Sequence, residues 1–165
     1  MDLQIARMTQ EHIEEFHRAV DVVARERKFL SYLEAPPLSQ SREFVLGMIA
    51  KGNPIFVAIA DDKVVGWCDV VRVDRPVHAH VGVLGMGLLP EFRGKGHGTK
   101  LINVILADAL REGMLRVELT VHADNERAIG LYEKAGFARE GVKRDAVCID
   151  GRYIDSILMA KLEKV

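Results

Sequence analysis

Two hydrophobic rhythms alternate along this chain. Residues 3–8 alternate apolar and polar weakly and predict a first strand, with Thr9 positioned to cap the helix that follows. Ile13, Phe16, Val20 and Val23 recur at helical spacing and predict an amphipathic helix to about Lys28. Pro36-Pro37 bars continuous helix over residues 31–41, so a second helix is expected at 42–50, stopping at Gly52-Asn53-Pro54. Residues 55–60 and 64–73 are β-rich and flank Asp61-Asp62, which reads as a hairpin. A strand is expected at 80–89 and a helix at 98–110. A strand at 115–122 follows, with Val117, Leu119 and Val121 on one face and Glu118, Thr120 and His122 on the other. Asp124 or Asn125 caps a short helix to Ala135, and Gly136 suits its end. Residues 138–149 and 153–160 close the chain as strands around Asp150-Gly151.

The order strand, two helices, three strands, helix, strand, helix, two strands predicts a mixed sheet with helices on its faces, an α/β domain. No repeat or linker divides it, so residues 1–165 read as one domain, long enough to bury a core. A formal net charge of −1 removes the electrostatic footprint expected of a nucleic-acid or membrane-surface binder. His78 and His80, near Arg72 and Arg75, read as a solvated loop. Cys68 and Cys148 lack metal-ligand spacing and are expected to be small buried hydrophobes, which fits a reducing cytoplasm; no metal site is expected. No segment approaches a membrane span, and Met1-Asp2-Leu3 opens no signal-peptide pattern.

The chemistry concentrates at residues 84–101, LGMGLLPEFRGKGHGTKL. An apolar strand carrying Gly85 and Gly87 ends at Pro90, and a glycine-rich turn then leads into a helix. Arg93, Gly96 and Gly98 have the spacing R-x-x-G-x-G. Glycine lets the backbone approach an anion, and the first amides of a helix lack internal partners, so the turn predicts a pyrophosphate site. It is not a nucleotide P-loop, because Thr99-Lys100 reverses the required order and the earlier glycine is missing. Nor is it the dinucleotide fingerprint, since Gly94, Gly96 and Gly98 run G-x-G-x-G. A strand-to-helix connection with purely geometric glycines is the remaining alternative. Gly85 and Gly87 are compatible with a bulge and with close approach of a ligand.

The turn resembles the pyrophosphate loop of the GNAT superfamily of N-acetyltransferases, Q/R-x-x-G-x-G/A. Downstream, residues 125–137, NERAIGLYEKAGF, are similar to the family's N-x-x-A-x-x-L-Y-x-x-x-G-F segment at every marked position. The resemblance implies that family's fold: a central, mostly antiparallel sheet splayed between the two strands that flank the cofactor, with helices on both faces. It implies acetyl-CoA as cofactor. Met86, Gly87 and Leu88 would pair with the pantetheine amides, and the segment Arg93, Gly94, Lys95, Gly96, His97, Gly98 and Thr99 would hold the pyrophosphate, with Lys95 or Lys100 near its oxygens. Asn125 would contact the pantetheine, and Tyr132 would protonate the departing CoA thiolate.

An amine acceptor must lose a proton before it attacks the thioester. Many family members carry a carboxylate on the strand before the loop, but Val81-Gly82-Val83-Leu84 has none. Glu118 is the first candidate base and His122 the second. Residues 116–121 and 151–155 are similar to the branch acetylating amino acids and phosphinothricin-like compounds, which implies a small primary amine, such as an amino acid or amine antibiotic. That acceptor would meet the first two helices and the loop at 32–41. A catalytically silent acyl-CoA sensor and a ribosomal-protein N-terminal acetyltransferase are the competing readings. The superfamily also makes a homodimer a common arrangement.

Overall fold

The structure, a computed structural model, describes residues 3–164; Met1 and Asp2, read above with the N-terminus, and Val165 lie outside the described residues. The elements are β1 (Gln4–Arg7), α1 (Ile13–Arg25), α2 (Leu38–Lys51), β2 (Ile55–Ala60), β3 (Lys63–Arg72), β4 (Val81–Leu88), α3 (His97–Arg111), β5 (Arg116–His122), α4 (Glu126–Lys134), β6 (Ala138–Ile149) and β7 (Arg152–Leu162). The strands form a seven-stranded sheet in the order β1-β2-β3-β4-β5-β7-β6. Every neighbouring pair is antiparallel except β4 and β5.

The predicted element order holds, and the differences in boundary have local causes. Helix α1 buries Ile13, Phe16, Ala19, Val20 and Val23 along one stripe, as its spacing predicts. It stops short of Lys28 because Arg27 takes a left-handed φ of 57°. Helix α2 starts earlier than expected, at Leu38, since Pro37 serves as its N-cap and marks its beginning rather than interrupting it. Asp61 and Asp62 both take positive φ, 49° and 61°, the conformation a tight β2–β3 hairpin needs.

Alternation along β3 and β4 assigns the helices to opposite faces. Trp67 meets Phe16 of α1 edge to face, with ring centroids 5.8 Å apart. A Cβ on Gly87 would enter that same indole, at 2.4 Å. The neighbouring Met86 points the other way, toward Gly98 of α3 and Leu131 of α4. Leu101, Ile102 and Ile105 of α3 are fully buried there, each contributing roughly 1.5–3 kcal/mol relative to exposure. Asp108 anchors α3 to the sheet's outer strand by accepting two hydrogen bonds of 2.9 Å from Arg7.

Two expectations are corrected. The β3–β4 register runs without interruption from Gly66–Leu88 to Arg72–Gly82, so there is no bulge at Gly85 or Gly87. Gly87 is small because Trp67 occupies the space of its side chain. Cys68 is buried as expected, but Cys148 is exposed, because β6 is an outer strand with most side chains in solvent. Arg75, His78 and His80 lie in the solvated segment read from the sequence, whereas Arg72 ends β3, half-buried, and donates to Ala79 O and Glu112 O. Among the described residues no helix is long and apolar enough to cross a membrane.

Candidate active site

The parallel pair is where the sheet opens. β4 and β5 are in register only at Val81–Arg116, Gly82–Val117 and Val83–Glu118. Beyond Val83, β4 continues to Leu88 along β3, while β5 continues to His122 along β7. The sides of the two strands that face each other therefore diverge with no shared ladder. A cavity of about 540 Å³ occupies this fork. Leu84 to Leu88 form one wall and Thr120 and Val121 the other. Asn125, Arg127, Ala128, Leu131 and Tyr132 bring in α4. Unpaired backbone amides in a partly apolar cleft cost roughly 1–3 kcal/mol each unless a ligand or water satisfies them.

The glycine turn lies at the open end of the fork. Gly94 and Gly96 take φ of 71° and 83°, which side-chain-bearing residues rarely adopt. Gly96 is the N-cap of α3, and its carbonyl accepts from Lys100 N–H, leaving the first-turn amides of His97, Gly98 and Thr99 ahead of the first intrahelical bond. Gly98 lies on the cavity wall, and a Cβ there would be 3.2 Å from Leu131. Lys95 and Lys100 are exposed. His97 packs near Phe92, and its Nδ1 is buried without a hydrogen-bond partner.

The segment after α1 borders the cavity from the other face. Phe29, Leu30, Ser31 and Tyr32 line it. Three ties hold this strap. Arg93 donates to both carboxylate oxygens of Glu26, at 2.9 and 2.6 Å, and its guanidinium lies over the Phe29 ring, 4.7 Å from the centroid. Lys28 O is 2.8 Å from His122 Nδ1. Arg27 pairs with Asp150 in the β6–β7 turn. The strap thus runs from α1 across to the β5–β7 half of the sheet.

Within the fork, Tyr132 is buried against Phe137, with ring centroids 5.8 Å apart. Burial, with the Cys68 thiol second, pushes its hydroxyl well above the ordinary tyrosine value, so it keeps its proton throughout the neutral range. Asn125 caps α4, its Oδ1 accepting from Ala128 N–H at 3.2 Å. That leaves the side-chain NH₂ to donate.

Residues 8–137 match the Acetyltransferase (GNAT) family. The chain belongs to that family. It is 32% identical over 110 residues to the L-amino acid N-acetyltransferase AaaT of Escherichia coli, covering 65% of this chain and 67% of that protein. It is 29% identical over 116 residues to the N-alpha-acetyltransferase RimI of Mycobacterium tuberculosis, covering 70% and 69% respectively. The chain thus spans about two thirds of the length of these curated relatives. A phosphinothricin acetyltransferase of Sinorhizobium meliloti, solved with acetyl-CoA, superposes with a TM-score of 0.92 at 17% identity, covering 99% of this chain and 90% of that one. It shares the GNAT fold. Acetyl-CoA is the acetyl donor of this family.

Of the residues expected to hold the GNAT cofactor, Met86, Gly87, Leu88, Arg93, Gly98 and Asn125 line the cavity. Gly94, Lys95, Gly96, His97 and Thr99 form the adjoining turn and first helical turn. The Arg93 guanidinium, on the cavity wall, is engaged by Glu26, Leu88 O and Phe29. Glu118 does not reach the cavity wall: it sits at the last paired position of the fork and accepts from Arg116 Nε at 2.9 Å, while Arg116 also pairs with Glu140. His122 is buried on the strap carbonyl rather than on the wall. Thr120, which shares their face, does line the cavity.

Two residues were missed from the sequence. Arg127 lines the cavity, with Nη1 3.8 Å from where a Cβ on Gly94 would lie. Its only signal was a cation two positions after Asn125. Asp69 is a carboxylate inside the apolar strand KVVGWCDVVR, directly opposite Gly85. A charge within a strand buried on both faces was the signal, and its meaning depended on the pairing register.

Proposed function

We infer that this acetyltransferase acylates the primary amine of a small molecule, such as an amino acid, rather than a peptide terminus. The strap carries the reading. It walls the acceptor side of the fork with Phe29 to Tyr32, bounding a cavity of about 540 Å³ for the pantetheine arm and the acceptor. That size is in the range of small-molecule sites, whereas a peptide needs an open groove for its following residues. Similarity to an L-amino acid N-acetyltransferase supports the same acceptor class.

Acetyl-CoA, when bound, supplies the acetyl group as a thioester. The backbone groups of Met86 and Leu88 face the fork and would pair with the pantetheine amides, whereas those of Gly87 belong to the β3 ladder, and the Asn125 NH₂ would donate to the same arm. The first-turn amides of His97, Gly98 and Thr99 meet the pyrophosphate at the positive end of α3. Lys95 and Arg127 add positive charge around the turn. Tyr132 donates a hydrogen bond to the departing sulfur and then its proton, which the solvent restores.

CoA release measured with a panel of free amino acids, simple amines and peptides bearing free N-termini tests the acceptor class. Turnover with amino acids or amines and none with peptides is the expected result. Activity on peptides alone would replace the acceptor with a protein N-terminus, in line with the 29% identical N-alpha-acetyltransferase. Binding of acetyl-CoA with no release across the panel would make the chain a silent acyl-CoA-binding domain.

A further inference from the structure

An alkyl amine reaches the site as an ammonium and must shed a proton before its nitrogen can attack. Among the described residues, none of the side chains lining the cavity is a carboxylate. The carboxylate behind that wall is Asp69. It pairs with Gly85, two positions past the last β4–β5 pair at Val83. Both of its oxygens lie 3.5 Å from where a Cβ on Gly85 would be, so its carboxylate borders the space that any larger residue there would fill. Gly85 is itself a wall residue and offers no side chain to screen Asp69 from the cavity. Asp69 projects from the same face of the sheet as Trp67, the face covered by α1 and the strap. That is the side on which the strap residues Phe29 to Tyr32 line the cavity, where the acceptor would sit.

We propose that Asp69 receives the acceptor: its carboxylate binds the incoming ammonium beside Gly85 and takes the proton that frees the nitrogen lone pair. The proposal rests on the acetyl-transfer reading above. In the step, R–NH₃⁺ passes one proton to the carboxylate and becomes R–NH₂. The nitrogen then forms a bond to the thioester carbonyl carbon as the carbon–sulfur bond breaks. The second proton leaves the nitrogen to the solvent, the sulfur receives one from Tyr132, and that hydroxyl is reprotonated from solvent. The Asp69 proton returns to water with product release. The sum is amine cation plus thioester giving amide, CoA thiol and one proton.

Burial alone raises the Asp69 carboxyl from 3.8 to about 7, which lets it both bind and release a proton at neutral pH. Among the described residues, no charged side chain is hydrogen-bonded or ion-paired to it, and burial is what shifts it. Across the ladder it faces Ile55 of β2 and Gly85 of β4. Trp67 and Val71 flank it on its own strand, and the Cys68 thiol points to the opposite face. On the side of α1 and the strap, Arg18 is held by Glu15, His17 is bound to Pro36 O, Glu26 is paired with Arg93, and Tyr32 lines the cavity. From β5, His122 is bound to Lys28 O and Glu118 to Arg116.

The test is Asp69→Asn in the full chain beside wild type, using the amine found in the acceptor panel. Calorimetry should give unchanged acetyl-CoA affinity. kcat/KM for an alkyl amine should fall about 10²–10⁴-fold. The loss should shrink for an aryl or alkoxy amine that is already neutral at the assay pH, which a merely structural role would not produce. Wild-type kcat/KM should rise with pH through about 7 and level off, and that limb should vanish in the variant. A variant with wild-type kcat/KM, one that keeps the limb, or one equally impaired with both amine classes overturns the proposal. If the variant does not fold, the wild-type profile decides, and absence of a limb near pH 7 overturns it. A wild type that turns over no amine defeats the acetyl-transfer reading and this step with it, whereas an active wild type with an active variant defeats Asp69 alone.

Discussion

Cys68 and Asp69 are neighbours on β3, and the strand's alternation sends them to opposite faces of the sheet. Tyr132 lies on the Cys68 side and the acceptor strap on the Asp69 side, so two protonic groups approach the fork from its two faces. Replacing Tyr132 with Phe should lower kcat by about 10²-fold or more while acetyl-CoA affinity stays within experimental error; equal turnover would remove the hydroxyl from the reaction. Asp69 also leaves a mark on stability. Below pH 3.8 it is protonated folded and unfolded. Between 3.8 and about 7 the unfolded chain has released this proton and the folded one retains it, so its contribution worsens as pH rises. Asp69→Asn should therefore gain about 2–3 kcal/mol on wild type between pH 5 and pH 8, from ~1.4 kcal/mol per pH unit, read from urea unfolding at the two values. A gain independent of pH would mean the carboxyl is hydrated. Tyr132 and Asn125 were legible in the sequence because their motif is local. Asp69 was not, because only the register opposite Gly85 gives it a place, and Glu118 looked suitable because the sequence records its face but not its distance from the fork.

Among the elements, the turn into α3 combines backbone geometry and charge most tightly. A Cβ on Gly96 would meet nothing within 4 Å, so Gly96→Glu fits sterically but carries a left-handed φ of 83°. That strain is about 1–2 kcal/mol. The larger effect is a carboxylate at the positive end of the helix, where the pyrophosphate should lie. Calorimetry should show acetyl-CoA binding abolished, while far-ultraviolet circular dichroism is unchanged. Unaltered affinity would move the site elsewhere. The order and type of every long element were legible, since each has a rhythm of its own. The start of α2 was not, because Pro37 can end one element or begin another and the pattern alone does not say which. The divergence of β4 from β5 was implied only through family resemblance, since nothing in either strand's alternation records where a ladder ends.

At the scale of the molecule, contacts far apart in sequence decide the shape of the chamber. Arg93 and Glu26 are both largely buried, at 18% and 22% exposure, and join the cofactor turn to the acceptor strap. Arg93→Ala removes this pair, the Leu88 O hydrogen bond and the stacking on Phe29. The expected cost is about 1–3 kcal/mol of stability, with KM for the amine rising more than the Kd for acetyl-CoA. A larger effect on acetyl-CoA would return Arg93 to the pyrophosphate, the role its place in the glycine motif first implied. That pairing was invisible in the sequence because Glu26 follows α1 with no motif around it.

The diverging strands have a further consequence. A sheet ordinarily keeps its unpaired edges at the rim, where another chain can add itself. Here two such edges face each other in the middle of the sheet, roofed by the strap on one side and α4 on the other. Both edges lie within the molecule rather than at its rim, away from where the strand of another chain would add side-on. The gap between them suits a guest whose own amides can stand in for the missing ladder.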